Sequence, residues 1–312
     1  MSLLSVIIPA FNEEKNIELS YKKIKSILQK SQIDFEMIYV NDGSKDNTWD
    51  EITKISIDTR VVGVNFSRNF GKESAIEAGL KVSSGSCAVV IDCDLQHPPE
   101  TIITMFRLWE EGYEIVEGVK SSRGTESYFY KTFSKLFYKS ISKFTNFNMN
   151  NSSDFKLLDR TVINQINMLP EKGRFFRALS HWVGFKQTTI EFDVKERING
   201  DSKWSIFTLF KYAISNITSF TSAPLHIITM IGIIYLVFAT ILGTYSLISY
   251  FLGQSLEGFT TVILLLLILG GTIMVSIGIL GIYVNKIFEE VKARPNYIIS
   301  NLLNCEDENH EK

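Results

Sequence analysis

Residues 89–100 read Val89-Val90-Ile91-Asp92-Cys93-Asp94-Leu95-Gln96-His97-Pro98-Pro99-Glu100. A short apolar run that ends in turn-forming residues is typical of a buried strand. Residues two apart on an extended chain point to the same side, so Asp92, Asp94 and Gln96 can face one cavity beyond the strand. Such oxygen donors suit Mg²⁺ or Mn²⁺ carrying a diphosphate. The segment therefore predicts a metal site, although acidic residues here could also simply cap the next helix.

The residues before this segment alternate between apolar strands and amphipathic helices. Apolar runs at 4–9, 35–40 and 61–66 each lead into a polar turn and a helical pattern. Strands and helices that alternate at short spacing favour a mostly parallel sheet with helices on both faces and a site at the carboxyl ends of the strands. We therefore expect an α/β domain.

Two of the predicted strand ends carry polar groups suited to a nucleotide diphosphate. Asp42 can accept a hydrogen bond from a base or ribose, while Arg68 and Lys72 can offset phosphate charge. Each also has a plain alternative, since Asp42 is a good turn former and the two basic side chains could be solvated surface charges. The chain contains neither a G-x-G-x-x-G nor a Walker loop, which removes the signature of dehydrogenases and P-loop NTPases.

The composition points to a membrane protein. Residues 227–252 and 261–284 contain no Lys, Arg, Asp or Glu and are long enough to cross a hydrocarbon core of about 30 Å. The first residues lack the pattern of a signal peptide, so we expect the first domain to stay in the cytosol. The net charge of -2 argues against nucleic-acid binding. The three cysteines fit no disulfide framework or zinc site, and we expect them to be reduced.

Four motifs together carry a family resemblance. Residues 5–13, 40–44, 92–100 and 197–203 resemble glycosyltransferase family 2, and most of all its membrane-anchored polyprenyl-phosphate branch, which contains bactoprenol glucosyltransferases and dolichol-phosphate mannose synthases. The resemblance implies a GT-A fold, Rossmann-like with a mostly parallel sheet. It also implies transfer of a hexose from a nucleotide sugar to a lipid phosphate with inversion.

The resemblance further implies roles for individual residues on the donor side. Asp92 would lie against ribose and diphosphate, and Asp94 with Gln96 would hold the Mg²⁺ or Mn²⁺ needed for catalysis. The remaining nucleoside contacts would come from Pro9, Phe11, Glu13 and Asp42.

Basic residues and one acidic residue complete the expected site. The family often places arginines after the strand that ends near Gly118, and Arg123 fits a phosphate-binding role better than Lys120, because lysine lacks the planar fork. Arg197 and Lys203 bracket a flexible turn that can fold over a diphosphate, or that could be a solvated hairpin. Asp154 resembles the acidic residue near the acceptor and would be the catalytic base, unless it only begins the next helix.

The expected domains are a GT-A domain at 1–203, amphipathic interface helices at 204–225, a transmembrane hairpin at 226–286 and a cytosolic tail at 287–312. Residues 128–147 form a basic, aromatic amphipathic pattern that suits either a membrane surface or the domain's own core. The loop between the apolar runs lacks Lys and Arg, whereas the outer flanks carry them. The positive-inside rule therefore predicts a multi-pass protein of the plasma membrane with both termini in the cytosol.

The sequence thus predicts an inverting, metal-dependent transferase that moves glucose from a UDP-linked donor to undecaprenyl phosphate. Expected partners are the donor, the lipid phosphate and the bilayer, with a homo-oligomer, a flippase and a downstream glycosyltransferase as further expectations. One alternative is a processive polysaccharide synthase, against which stand the missing Gln-x-x-Arg-Trp sequence and the small number of spans. The other is a non-catalytic membrane assembly module.

Overall fold

The computed structural model describes residues 2–120, 153–172, 174–193, 223–252 and 258–305. These residues fall into two compact units, the first of which combines the described residues up to 193 with those from 295 onward. The second unit contains the described residues between 223 and 294. Arg123, Arg197 and Lys203 lie outside the described residues, as do the expected amphipathic segment at 128–147 and residues 204–222.

The first unit is built on an eight-stranded sheet with the order β7-β5-β6-β4-β1-β2-β3-β8. The strands are β1 (Leu3–Ala10), β2 (Asp34–Asn41), β3 (Val61–Phe66), β4 (Cys87–Val90), β5 (Ile115–Lys120), β6 (Lys156–Asp159), β7 (Gln187–Phe192) and β8 (Ile299–Leu303). Its helices are α1 (Ile17–Lys30), α2 (Thr48–Ile55), α3 (Lys72–Val82), α4 (Thr101–Glu110), α5 (Arg160–Met168) and α6 (Phe176–Trp182).

The pairing pattern confirms the predicted α/β class. Strands β4, β1, β2 and β3 are parallel to one another, and β5 is parallel to β7. Strand β6 runs antiparallel to both β4 and β5, and β8 runs antiparallel to β3. The parallel centre brings the carboxyl ends of β1, β2, β3 and β4 to one edge of the sheet, which is where ligands bind in open α/β sheets.

Both faces of the central strands are buried, because their residues alternate between two apolar cores. In β1, Val6 and Ile8 belong to the core that α1, α2 and α4 cover, whereas Ile7 belongs to the core that α3 and α5 cover. Helix α3 lies so close to β1 that a Cβ at Gly79 would collide with Cγ2 of Ile7. Continuous apolar runs are expected in strands that are covered on both sides.

The C-terminal segment does not end as a plain tail after the apolar helices. Residues Ile299–Leu303 form β8 and pair with β3, in a register that matches Gly63 with Leu303 and Asn65 with Asn301. Strand β8 covers a sheet edge that would otherwise expose unpaired backbone groups. The sequence predicts a cytosolic tail at 287–312 and does not predict this strand.

The second unit contains two long apolar helices, α7 (Ala223–Phe251) and α8 (Phe259–Val291). The most apolar parts are Leu225–Tyr245 and Ile268–Val291, with mean hydropathies of 2.4 and 1.8. By length and composition, both helices can cross a membrane. The two apolar helices expected after the first domain are therefore present, and α8 extends beyond the apolar run to include Lys286 and Glu290.

Candidate active site

The loops that follow β1 and β2 are tied together at the carboxyl edge of the sheet. The Asn12 amide donates to Ser44 Oγ at 2.9 Å, and the Glu13 amide donates to Thr48 Oγ1 at 2.8 Å. Phe11 keeps 42% of its surface exposed beside these loops. Of the residues expected around a nucleoside, Phe11 and Glu13 thus lie on this edge with Pro9, near the end of β1.

Asp42 is buried at the end of β2 and anchors the loop between β3 and α3. Its carboxylate accepts from the amides of Phe70 at 2.7 Å and Gly71 at 3.0 Å, and from Asn69 Nδ2 at 3.0 Å. Burial raises the pKa of Asp42 despite these amide donors. The Asp42 side chain therefore holds residues 69–71, and its contact with a base or ribose stays a prediction.

The sequence predicts an extended chain after β4, but this segment is not extended in the structure. Strand β4 ends at Val90, a turn follows at Cys93 and Asp94, and Leu95 adopts the left-handed region with a φ of 57°. The Gln96 amide donates to Asp94 Oδ1 at 3.1 Å, so the carboxylate lies over the backbone of Gln96. Asp94 and Gln96 are both partly exposed, whereas Cys93 and Leu95 are buried.

Asp94 and Gln96 suit a site in which the diphosphate supplies some of the ligands of a divalent cation. They do not suit a site made of protein ligands alone. Within the described ranges, no group of three or more His, Cys, Asp or Glu residues could hold a metal ion. Mg²⁺ in nucleotide sites usually takes one or two carboxylates and completes its shell with phosphate oxygens and water. Asp94 and Gln96 are two residues apart and partly exposed, and their side chains offer a carboxylate and an amide oxygen of that kind.

Lys72, the first residue of α3, joins two of the expected site carboxylates. Its Nζ lies 2.5 Å from Asp92 Oδ1 and 2.9 Å from Asp154 Oδ2. Burial works against the charged ammonium, but Asp154 and Asp92 together raise the pKa of Lys72 well above its ordinary value. Burial also disfavours the charged Asp92, yet Lys72 holds the pKa of Asp92 below its usual range. Lys72 therefore stays charged between the two carboxylates.

Asp154 is also held by Arg177, a residue that the sequence analysis did not select. Arg177 Nε lies 2.7 Å from Asp154 Oδ1, and Nη2 lies 3.0 Å from Oδ2. Although burial favours the neutral acid, Lys72 and Arg177 hold the pKa of Asp154 well below its ordinary value. A carboxylate with so low a pKa is a weak base. Nothing in the sequence pattern links Arg177 to a partner 23 residues earlier.

A second buried charge cluster supports α6, the helix that carries Arg177. Lys156 is fully buried, and its Nζ lies 3.2 Å from Glu117 Oε1 and 2.8 Å from Ser180 Oγ. His181 Nε2 lies 3.1 Å from Glu117 Oε2. Burial lowers the pKa of Lys156, and Glu117 opposes that effect. The cluster joins β5, β6 and α6.

Comparison with known proteins identifies the family of this chain. The profile of "Glycosyl transferase family 2" matches residues 5–167, more than half of the chain. A prophage bactoprenol glucosyl transferase homolog from Escherichia coli (strain K12) is 36% identical over 299 residues, which covers 95% of this chain and 98% of that protein. The chain belongs to glycosyltransferase family 2. The resemblance inferred from the motifs is thereby confirmed.

One solved structure agrees with this family 2 assignment at the level of the fold. Mannosyl-3-phosphoglycerate synthase from Rubrobacter xylanophilus superimposes with a TM-score of 0.50 at 14% identity, covering 70% of this chain and 72% of that one. Glucosyl-3-phosphoglycerate synthase from Mycobacterium tuberculosis, solved with Mn²⁺ and UDP-glucose, gives a TM-score of 0.48 at 19% identity, with coverages of 70% and 79%. The mixed sheet of this family 2 enzyme is GT-A-like, as expected.

A third carboxylate, Glu73, lies beside the Asp154 cluster of this family 2 glycosyltransferase. Glu73 Oε2 accepts from the Phe176 amide at 2.8 Å, which links the start of α3 to the start of α6. Burial and the nearby charge of Asp154 raise the pKa of Glu73 to about 7, against the opposing effects of Arg177 and Lys72. The pKa of Glu73 is therefore raised while the pKa of Asp154 is lowered, so that of these two carboxyls Glu73 titrates near neutral pH.

Replacing Glu73 with Gln should raise the thermal midpoint of the enzyme, and by more at pH 8 than at pH 5. The wild-type carboxyl binds its proton more tightly in the folded state, so its contribution to stability is largest below about pH 4.5 and is lost as the pH rises through about 7. Glutamine is neutral throughout and can still accept from Phe176. Thermal unfolding in detergent at both pH values tests this, with the exposed Glu111→Gln as control. Equal shifts at pH 5 and pH 8 would contradict it.

Proposed function

We propose that this glycosyltransferase moves glucose from a UDP-linked donor to polyprenyl phosphate at the cytosolic membrane face, with inversion at the anomeric carbon. The observation that carries the proposal is the cluster in which Lys72 and Arg177 converge on Asp154 beside Asp92. Two cations at the carboxyl edge of the sheet suit a reaction whose donor and acceptor both carry phosphate. The name of the Escherichia coli relative supports glucose and a polyprenyl acceptor.

In the proposed reaction, an oxygen of the lipid phosphate forms a bond to the anomeric carbon while the bond from that carbon to the diphosphate breaks. The electron pair leaves with the nucleoside diphosphate. A divalent cation, Mg²⁺ or Mn²⁺, held by Asp94 and Gln96 would neutralise charge on the leaving group. Lys72 lies between Asp92 and Asp154, and its ammonium would offset phosphate charge there.

Asp154 acts in this proposal as an anchor for two cations. A phosphate monoester has a second pKa of about 6, so the acceptor is mostly a dianion near pH 7 and needs little help in losing a proton. The low pKa of Asp154 gives it little power to take one. Its carboxylate instead fixes the Arg177 guanidinium through two parallel hydrogen bonds, the same geometry that guanidinium groups use for phosphate.

Three basic residues outside the described ranges belong to the proposal through the motifs alone. Arg123 would bind phosphate after β5, and Arg197 with Lys203 would fold over the diphosphate. The product would be a lipid-linked hexose for later glycan modification, which requires a flippase and a second glycosyltransferase on the far side of the membrane. Self-association of the enzyme is a further part of the proposal.

The proposal fixes the orientation of the apolar helices. The connection between α7 and α8, which lacks Lys and Arg, should be outside the cell, and both chain termini should be in the cytosol. A cysteine introduced at Ser255 should react with a membrane-impermeant maleimide added to intact cells, while a cysteine at Ser44 should react only after lysis. The background labelling is measured in the unmodified enzyme, which contains Cys87, Cys93 and Cys305. Labelling of the Ser44 position in intact cells would place the site on the wrong side for a cytosolic donor.

The function is tested by incubating the purified full-length enzyme with Mn²⁺, polyprenyl phosphate and a panel of radiolabelled nucleotide sugars. We expect one nucleotide sugar to deliver label to the lipid fraction, with the mass of one added hexose per lipid. Growth of a polymer would instead indicate a processive synthase. Nucleotide binding without any transfer would indicate an assembly module.

A further inference from the structure

The segment after α8 makes contacts that reach beyond simple pairing with the sheet edge. We name residues 295–304 the C-terminal strap. Besides the β3–β8 pairing, Ile298 O accepts from the Ser67 amide at 3.0 Å, and Asn296 O accepts from Ser74 Oγ at 3.3 Å. Ser67 and Ser74 bracket the loop between β3 and α3. The strap therefore contacts the loop that bonds to Asp42.

Aromatic packing extends from the strap to the same loop. The Tyr297 ring stacks on Phe66, with centroids 4.9 Å apart and an angle of 13° between the planes. Phe66 in turn meets Phe70 edge-on at 5.8 Å. Phe70 is the residue whose amide donates to Asp42 at 2.7 Å. A row of three rings thus runs from the strap to the backbone group that the site carboxylate binds.

A polar path also leads from the strap into α3 and toward α6. Asn296 Nδ2 donates to Oε2 of the buried Glu77 at 2.7 Å. The same carboxylate lies 3.4 Å from Arg174 Nε, and Arg174 lies two residues before the start of α6. Helix α3 begins with Lys72, so the strap supports the helix that presents the bridging lysine.

A strap that only covered the sheet edge would need nothing beyond the backbone ladder of β8. The contacts made by Asn296 and Tyr297 lie instead beyond the end of β3, on the side of the site. Asn304 provides a built-in contrast, because its Nδ2 donates to the carbonyls of Ser56 at 2.6 Å and Val61 at 2.9 Å, at the opposite end of β3. The two ends of one strap can therefore be tested separately.

We propose that the C-terminal strap positions the donor site, with Asn296 and Tyr297 holding the β3–α3 loop so that Phe70 and Gly71 meet Asp42 and Lys72 meets Asp92. These are positioning residues, since they touch no reacting group. The inference rests on the proposed function only in taking the donor to be a nucleotide sugar. Its consequence is that the chain following the second apolar helix tunes nucleotide affinity.

The experiment measures the Kd of UDP in the presence of Mn²⁺, by calorimetry on the full-length enzyme in detergent, together with the thermal midpoint. Asn296→Ala and Tyr297→Leu should each weaken binding about five- to tenfold, as the loss of one buried contact does. Tyr297→Phe keeps the ring and should bind within about twofold of wild type. Asn304→Ala should lower the thermal midpoint and leave the Kd unchanged to the same precision.

Two results would overturn the proposal. If Asn296→Ala and Tyr297→Leu kept the wild-type Kd, the strap would be an edge cover and nothing more. If Asn304→Ala weakened binding as much as Asn296→Ala, the effect would come from general loss of stability. Failure of the wild type to bind any nucleoside diphosphate would instead count against the proposed function, which separates the two claims. Binding of UDP is measured without acceptor, so the identity of the lipid does not enter.

Discussion

Asp94→Ala should abolish hexose transfer, with a loss on the order of 10³-fold or more. The Asp94 carboxylate lies after β4 and accepts from the backbone amide of Gln96. It is the stronger of the two expected metal ligands. A divalent cation contributes several kcal/mol of charge stabilisation in transfers of this kind, so removal of its ligand removes most of the rate. Transfer by the folded variant is measured with radiolabelled donor in Mn²⁺ and in Mg²⁺.

A matched control for Asp94→Ala is Asp50→Ala, which removes an exposed carboxylate from the first turn of α2. That variant should keep wild-type transfer and wild-type nucleotide binding. The thermal midpoints of both variants show whether either has unfolded. Near-normal turnover by a folded Asp94→Ala enzyme would mean that the cation is held elsewhere or is not required.

Asp154→Asn should lower transfer on the order of 10²-fold by a factor that does not change between pH 5.5 and 8. The amide no longer balances the charges of Lys72 and Arg177, so both cations lose the partner that fixes their positions in the site. Because the pKa of Asp154 is held well below its ordinary value, the wild-type carboxylate is ionised across this whole range. Because the charge of Asp154 also raises the pKa of Glu73, wild type and variant are compared in a Glu73→Gln background, where the two pH profiles should run parallel.

The alternative is the role that the family resemblance implied, in which Asp154 takes a proton from the acceptor. A base would matter most where the lipid phosphate is still protonated, below its second pKa of about 6. The ratio of variant to wild-type activity would then climb as the pH rises, and that result would contradict the anchoring role. Asp159→Asn on β6 is the control, since its amide nitrogen cannot replace the carboxylate oxygen that accepts from Trp109 Nε1, and it should affect stability more than transfer.

The sequence alone predicts the parallel centre of the sheet and the edge of the sheet that carries the site. Strands such as β1 and β4 are covered on both faces, so their continuous apolar runs are readable without a structure. The polar turns after them end at the same edge because parallel strands must align their carboxyl ends. Asp42, Lys72 and Asp92 were selected for this reason, and the structure places all three at that edge.

The features missed depend on contacts between distant residues or on local backbone geometry. Arg177 joins the site through a salt bridge with Asp154, and no periodicity signals such a pairing. Strand β8 is a short, partly exposed segment whose pairing partner lies more than 200 residues earlier, as the Asn65 to Asn301 separation of 236 shows. The left-handed φ of Leu95 could not be foreseen either, because few side chains other than glycine adopt it.

The central claim is inverting transfer of one hexose to polyprenyl phosphate, and the anomeric configuration of the product tests it most directly. The lipid product is purified after wild-type enzyme has consumed α-linked UDP-glucose with undecaprenyl phosphate and Mn²⁺, and its anomeric proton is examined by NMR. Attack by the lipid phosphate opposite the leaving diphosphate predicts a β-linked glucosyl phosphate on the lipid. An α-linked product, or glucose recovered on anything other than the lipid phosphate, would contradict the account.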